Sequence, residues 1–190
     1  IMKLTGKEDI RVRKTITSIR KAFCEMICER PYEKITVKSL CERAMINKKT
    51  FYVYYETLDD LLLEVQDSYT AAYKKELGEY HLPEDLAKTI RLFFEFSAKQ
   101  DQAYEKITCA TDYLPVRNKM IADVMEDHET FPSFSSFENR LMYRFWTDTV
   151  LMVYKEWIQD NKKTSLEEVI QFASGLVTTG IEGIYRQHEK

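Results

Sequence analysis

Helix start signals recur along almost the whole chain, and apolar residues at three- and four-residue spacing follow them. In the first such segment, Val12, Ile16 and Phe23 share one face of a helix predicted from Asp9 to Glu29. Turn residues are scarce, with 5 Gly and 4 Pro among 190 residues. Because an antiparallel sheet needs more turn residues than this, the pattern predicts an all-α chain.

Caps and breakers divide the remainder into further helices, so that we predict about nine in total. The start signals are the caps Thr36, Asn47 and Thr57, the early proline Pro83, and the capping boxes formed by Ser135 with Glu138 and Thr164 with Glu167. The predicted ranges after the first helix are 36–43, 47–54, 57–77, 83–99, 101–112, 115–128, 135–161 and 164–187.

The charge of the chain is unevenly distributed. Residues 1–55 hold 13 Lys and Arg against 6 Asp and Glu, a net +7, whereas the remaining residues carry −10. A basic head on an acidic body indicates that the head meets a polyanion. The chain lacks an apolar run of membrane-helix length and an apolar leader, so we expect neither a membrane span nor a secretory signal. Its four cysteines do not suggest a disulfide framework, which fits a reducing cytoplasm.

Two short predicted helices between Thr36 and Tyr55 form a helix-turn-helix pattern. Packing of their apolar faces leaves one side of the second helix free, and this side carries Lys48, Lys49, Tyr52 and Val53. Such a helix fits the DNA major groove, where lysine donates to guanine or phosphate and tyrosine donates to phosphate. A surface helix with two solvated lysines is the alternative interpretation.

The stretch from Lys34 to Leu62 resembles the DNA-binding core of the TetR/AcrR family of bacterial transcriptional regulators. The matching elements are Thr36-Val37, Leu40 to Ala44, Ile46-Asn47, Thr50-Phe51-Tyr52, Tyr55 and Leu61-Leu62. The amino-acid sequence of this segment is similar to those of a branch that includes regulators of dihydroxyacetone kinase operons. The resemblance implies a homodimer that binds palindromic operator DNA and responds to a small-molecule effector.

Transferred by position, the resemblance divides the chain into a DNA-binding head, residues 1–56, and a helical effector-binding and dimerisation domain, residues 57–190. The predicted DNA-binding residues are Thr36, Lys38, Lys48, Lys49, Thr50, Tyr52, Val53 and Tyr54. Three positions depart from the family pattern: Met45 and Pro31 replace common glycines, and Leu58 replaces a lysine that usually contacts phosphate. A positive φ at Met45 would carry a steric cost. Of these departures, Met45 and Leu58 favour the alternative of a helical interaction protein that acts through a protein partner.

The predicted helix over 135–161 carries apolar residues on two faces, which indicates burial on both sides, and the last predicted helix contains three glycines that allow close helix approach. With the resemblance, this predicts a dimer through a four-helix bundle, and simple packing within the domain is the alternative. The predicted interface residues are Val153, Trp157, Ala173, Val177, Gly180 and Ile184. Aromatic residues in the middle of the chain are either ordinary core or the lining of an effector pocket. The predicted pocket residues are Phe93, Phe96, Tyr104, Tyr113, Tyr143 and Trp146.

Chemistry-bearing clusters are few. Asp127-His128-Glu129 contains ligand types, but adjacent residues diverge on a helix and no second cluster has metal spacing. Cys24 and Cys28 share a helix face, as core residues or as a redox or metal site. The sequence contains no glycine-rich phosphate loop and no Gly-x-Ser-x-Gly elbow. We therefore predict no metal, no cofactor and no enzymatic activity.

Overall fold

The computed structural model of the protein describes residues 9–109 and 134–188. These residues form eight α-helices and one 3-10 turn, with no strand among them, which confirms the all-α prediction. The helices are α1 (Ile10–Glu29), α2 (Val37–Arg43), α3 (Lys48–Tyr54), α4 (Leu58–Leu77), α5 (Leu86–Ala98), α6 (Gln102–Cys109), α7 (Ser136–Gln159) and α8 (Leu166–His188). The predicted helix over 115–128 lies outside the described residues, as do Tyr113 and the cluster at 127–129.

The described residues form two compact units. The first comprises residues 9–71 and 101–109, and the second comprises residues 72–100 and 134–188. The division falls inside α4, and α6 belongs to the first unit, where it packs on α1. The domain boundary predicted between residues 56 and 57 lies before α4 and stays a prediction.

The predicted starts of α2 and α4 rest on side chains that satisfy helix N–H groups. Thr36 and Ser39 form a reciprocal box at α2, in which the Thr36 hydroxyl accepts from the Ser39 N–H at 3.1 Å. Thr57 and Asp60 bond in the same way at α4. Without such acceptors the first N–H groups of a helix are unsatisfied, so these residues determine where each helix begins.

The start of α5 differs from the prediction. Pro83 does not occupy the first turn of the helix, because α5 begins at Leu86 and Asp85 is its N-cap. The Asp85 carboxylate accepts a 2.9 Å hydrogen bond from the backbone N–H of His81. That bond holds residues 81–85 in a separate turn before the helix.

The capping box of α8 also lies one residue later than predicted. Ser165 donates its N–H to Glu168 at 3.1 Å, and its hydroxyl accepts from the Glu168 N–H at 3.3 Å. The prediction that Thr164 and Glu167 form the box is wrong, since Glu167 instead binds Arg91 of α5 through two bonds of 2.7 and 2.8 Å.

Each unit has its own apolar core. In the first unit, α1, α2, α3, α4 and α6 bury one cluster that includes Phe23, Leu40, Phe51, Leu61 and Ile107. In the second unit, α8 packs on both α5 and α7, and its buried residues are Val169, Ile170, Ala173, Val177 and Ile181. No helix within residues 9–109 and 134–188 has the length and apolar content that a bilayer span requires.

Candidate nucleic-acid interface

The turn between α2 and α3 ends α2 in a left-handed residue. Met45 has a φ of 56°, and its N–H donates to the Glu42 carbonyl at 3.3 Å. The Ile46 N–H donates to the Cys41 carbonyl at 3.0 Å, and Ile46 packs partly buried against the core. This bond pattern is a Schellman motif, whose left-handed position glycine usually occupies. The turn therefore has the shape that a glycine would allow, with methionine in the strained position.

Two side-chain contacts fix α1 against this helix pair. The Ser18 hydroxyl donates to the carbonyl of Ala44 at 3.0 Å. At the C-terminal end of α1, the Arg43 guanidinium donates two bonds of 2.5 and 2.7 Å to the Glu29 carboxylate. These bonds from Arg43 lower the pKa of Glu29, so the carboxylate stays ionised at neutral pH. The helix pair is thus held at its turn and at the end of α2.

Helix α3 has one buried side and one exposed side. Phe51 is fully buried and Tyr55, which follows the helix, is 2% exposed, so both anchor α3 in the core. Burial also raises the pKa of Tyr55 far above its usual range, so its phenol stays neutral. The side chains of Tyr52 and Val53 are 56% and 66% exposed. With the exposed Lys48 and Lys49, these four predicted contact residues share the outer surface of one helix.

The remaining predicted DNA-binding residues have other contacts. The Thr50 N–H and hydroxyl both donate to Asn47, at 2.8 and 3.0 Å, so Thr50 helps to cap α3. The Thr36 N–H donates to the Ser39 hydroxyl within the capping box of α2. Tyr54 is half-buried against the core, and Lys38 is exposed on α2, 4.0 Å from Glu42. A phosphate contact from Thr36 or Thr50 would compete with these capping bonds.

Leu58 is a structural residue in this chain. It lies half-buried against the core of the first unit at the beginning of α4. The phosphate contact that a lysine would make at this position is replaced by packing.

Two exposed basic residues on α1 are absent from the predicted DNA-binding set. Arg11 and Lys14 precede Ser18 by seven and four residues, so they share its helix face, and both are exposed. Because Ser18 contacts the turn, this face places Lys14 about 6 Å along the helix axis from that contact. The spacing of Arg11 and Lys14 from Ser18 is visible in the sequence. The Ser18–Ala44 contact, which places this face beside the turn, is a tertiary contact that local spacing does not predict.

The predicted pocket residues are divided between the two units. Tyr104 belongs to the first unit, where its ring packs edge-on against Tyr69 at 5.1 Å between centroids. Phe93 and Phe96 both contact Tyr73, and Tyr143 stacks on Trp146 at 5.9 Å. Four of the five described residues thus lie in the second unit, and their assignment to a pocket stays a prediction.

The predicted dimer residues require a correction. Trp157, Ala173 and Val177 are buried within their own unit and offer almost no surface to a partner. Val153 is half-buried, whereas Gly180 and Ile184 are exposed. The predicted set shares only Ile184 with the large exposed apolar residues of the two helices, which are Phe137, Leu141, Phe145 and Met152 on α7, and Phe172, Leu176 and Ile184 on α8. We call the exposed set the α7–α8 apolar face.

Comparisons with known proteins agree with this architecture. No protein-family model and no curated protein sequence matches the chain. Among solved structures, a TetR transcriptional regulator from Streptococcus agalactiae 2603V superposes with a TM-score of 0.64 at 20% identity, covering 88% of this chain and 95% of that one. FadR from Bacillus subtilis in complex with stearoyl-CoA has a TM-score of 0.62 at 17% identity, covering 86% and 98%. The dihydroxyacetone kinase operon activator DhaS has a TM-score of 0.51 at 19% identity, covering 88% and 96%. The chain therefore has the fold of TetR-type transcriptional regulators.

Proposed function

We propose that the protein is a transcriptional regulator of the TetR type, which binds double-stranded operator DNA through α3. The observation that carries this proposal is the outer surface of α3, where Lys48, Lys49, Tyr52 and Val53 are all exposed while Phe51 is buried. An apolar anchor on one side and donors on the other are what a recognition helix in the major groove needs. Lys49 reads a base edge, and Tyr52 donates its hydroxyl to a phosphate.

The regulator acts as a homodimer through the α7–α8 apolar face. A row of large apolar side chains exposed on two adjacent helices is costly in water, and a second copy buries it as a four-helix bundle. Gly180 supports this arrangement within each copy, because a ring atom of Phe145 lies 3.0 Å from the position that a β-carbon at residue 180 would take. Two heads related by a two-fold axis then bind a palindromic site with half-sites about 34–36 Å apart.

A small-molecule effector modulates the DNA affinity of this dimer. The crowding of aromatic residues in the second unit, including Phe93 and Tyr143, favours an effector with apolar surface. The dimer has a conformation in which the spacing of its two heads does not match the operator half-sites. An effector that binds this conformation more tightly weakens operator binding by linkage.

Two variants of α3 test the assignment of roles. Lys49→Ala lowers the discrimination between operator sequences by about 1–3 kcal/mol at the base that Lys49 reads. Tyr52→Phe weakens binding to every sequence alike, because a phosphate contact carries no sequence information. Affinity for an operator is measured by fluorescence anisotropy on cognate and point-mutated DNA. Unchanged affinity in both variants would show that α3 is not the recognition helix.

A protein partner is the competing function. A regulator of this fold that acts through another protein would lack DNA binding and would return one stoichiometric partner in a pull-down. Met45 favours this alternative, since its side chain is 91% exposed at the tip of the turn.

A further inference from the structure

A cleft of about 470 Å³ opens on the first unit between the middle of α1 and the start of α6. Cys24 and Cys28 line its α1 side together with Arg20, and Asp101 lines the opposite side. Neither cysteine belongs to the helix pair that forms the candidate DNA interface. The cleft thus places two thiols beside open space that the proposed function does not use.

The two cysteines are positioned as a pair. They are four residues apart on one helix, which puts their β-carbons about 5–6 Å apart on the same face. All four cysteines of the chain are free thiols, but their surroundings differ. Cys41 is buried in the core, as is usual for a structural cysteine, whereas Cys24 and Cys28 are only partly buried. The pair is therefore accessible from the cleft.

The surroundings of the pair restrict which ligand fits. Within residues 9–109 and 134–188, no group of three or more His, Cys, Asp and Glu side chains is arranged to hold a metal ion, so these residues offer no tetrahedral zinc site. Burial raises the pKa of Cys24 to about 11 and also raises that of Cys28. Both groups are then protonated at neutral pH, so a ligand that bonds their sulfur atoms must also take up the two thiol protons. The spacing of about one helical turn favours a ligand in which a single atom bonds both sulfur atoms.

We propose that Cys24 and Cys28 form a two-thiol binding site for trivalent arsenicals. An aryl arsonous acid, R–As(OH)₂, reacts with both thiols to give R–As(SR′)₂ and two molecules of water. Two As–O bonds and two S–H bonds break, two As–S bonds form, and each hydroxide leaves with one thiol proton. Arsenic stays in the +3 state, so the step needs no oxidant or reductant. The site lies on the same helix as Ser18, at residues that are not among the proposed DNA contacts.

The test uses phenylarsine oxide, whose hydrate is such an acid, with the full-length reduced protein. Intact-mass spectrometry is expected to show one arsenical per chain that survives excess monothiol and is removed by a dithiol. Cys24→Ser and Cys28→Ser each lose the chelate and weaken binding about 100-fold or more. Cys41→Ala and Cys109→Ser are the matched controls and keep it.

Peptide mapping of the adduct on the unaltered sequence provides a readout that does not depend on a variant that folds. The arsenic is expected to bridge the two cysteines of α1. Arsenic mapped to Cys41 or Cys109, an adduct that survives in both serine variants, or no adduct resistant to monothiol would overturn the proposal.

Discussion

The hydroxyl of Ser18 donates a 3.0 Å hydrogen bond to the carbonyl of Ala44, which joins α1 to the turn before α3. The same face of α1 continues through Lys14 to Arg11, so two exposed cations lead away from the turn. In the proposed complex, this face extends the phosphate-binding surface beyond α3.

Lys14→Ala should therefore weaken the binding of operator DNA and of non-specific DNA to a similar degree. The loss of one phosphate contact reduces the slope of log K against log salt by about 1, because one fewer counterion is released. The affinity is measured by anisotropy over a salt series. Lys75→Ala removes the same charge from the second unit and is the control. Equal slopes for Lys14→Ala and the unaltered protein would remove α1 from the interface.

Met45→Gly should stabilise the protein. A non-glycine residue in the left-handed region costs about 1–2 kcal/mol, and glycine removes this strain. Glycine also makes the unfolded chain more flexible, which offsets about 0.5–1 kcal/mol of the gain in stability. Met45 is 91% exposed, so little buried contact is lost. The net gain of about 0.5–1 kcal/mol corresponds to a rise in Tm of about 1–4 °C. Met45→Ala keeps a β-carbon and should not show this gain; an equal rise in both variants would mean that φ is not the cause.

Glu167→Gln should reduce the dependence of stability on acid pH. The hydrogen bonds from Arg91 lower the pKa of Glu167 from 4.5 to about 2. A lowered folded-state pKa contributes stability that is present above about 4.5 and is lost as the pH falls towards 2. Urea unfolding should show the unaltered protein to be more stable at pH 6, with the difference shrinking below pH 4.5. The difference in stability between the unaltered protein and Arg91→Gln should shrink in the same way as the pH falls. A difference that stays constant down to pH 2 would show that the ion pair between Glu167 and Arg91 is not its cause.

Leu141→Glu and Phe172→Glu should each convert the proposed dimer to monomers. Both side chains lie in the α7–α8 apolar face, where a buried carboxylate without a partner costs several kcal/mol. A loss of about 2.8 kcal/mol already raises the dissociation constant about 100-fold. Sedimentation velocity reports the oligomeric state, and Arg140→Glu, an exposed position outside this face, is the control. A dimer that survives both substitutions would require a different interface.

A substitution at Gly180 is less suitable for that purpose. A β-carbon there would meet two atoms of the Phe145 ring at 3.0 and 3.1 Å, so the variant would disturb α7 and α8 within one copy. Monomers of Gly180→Glu would therefore not distinguish a lost interface from a damaged fold.

Local signals in the sequence were sufficient to predict where α2, α3 and α4 begin. Thr36, Asn47 and Thr57 cap the helices they were predicted to cap, because capping depends on residues only three positions apart. The free side of α3 likewise follows from helical periodicity.

Predictions that depended on tertiary partners were less successful. The spacing of Glu167 from Thr164 predicts a capping box, but Arg91, 76 residues away, binds Glu167. Periodicity also predicts apolar stripes on α7 and α8 without showing which stripe faces the core, so it predicts Ala173 and Val177 at the interface although both are buried. The contact of Ser18 with Ala44 joins positions 26 residues apart and has no local signature.

The most direct test of the central claim is an unbiased selection of genomic DNA fragments by the purified protein, at low and at moderate salt. We expect enrichment of one palindrome, with an affinity that falls steeply as salt rises. Absence of any enriched fragment at low salt would contradict DNA binding through α3 and would favour a regulator that acts through a protein partner.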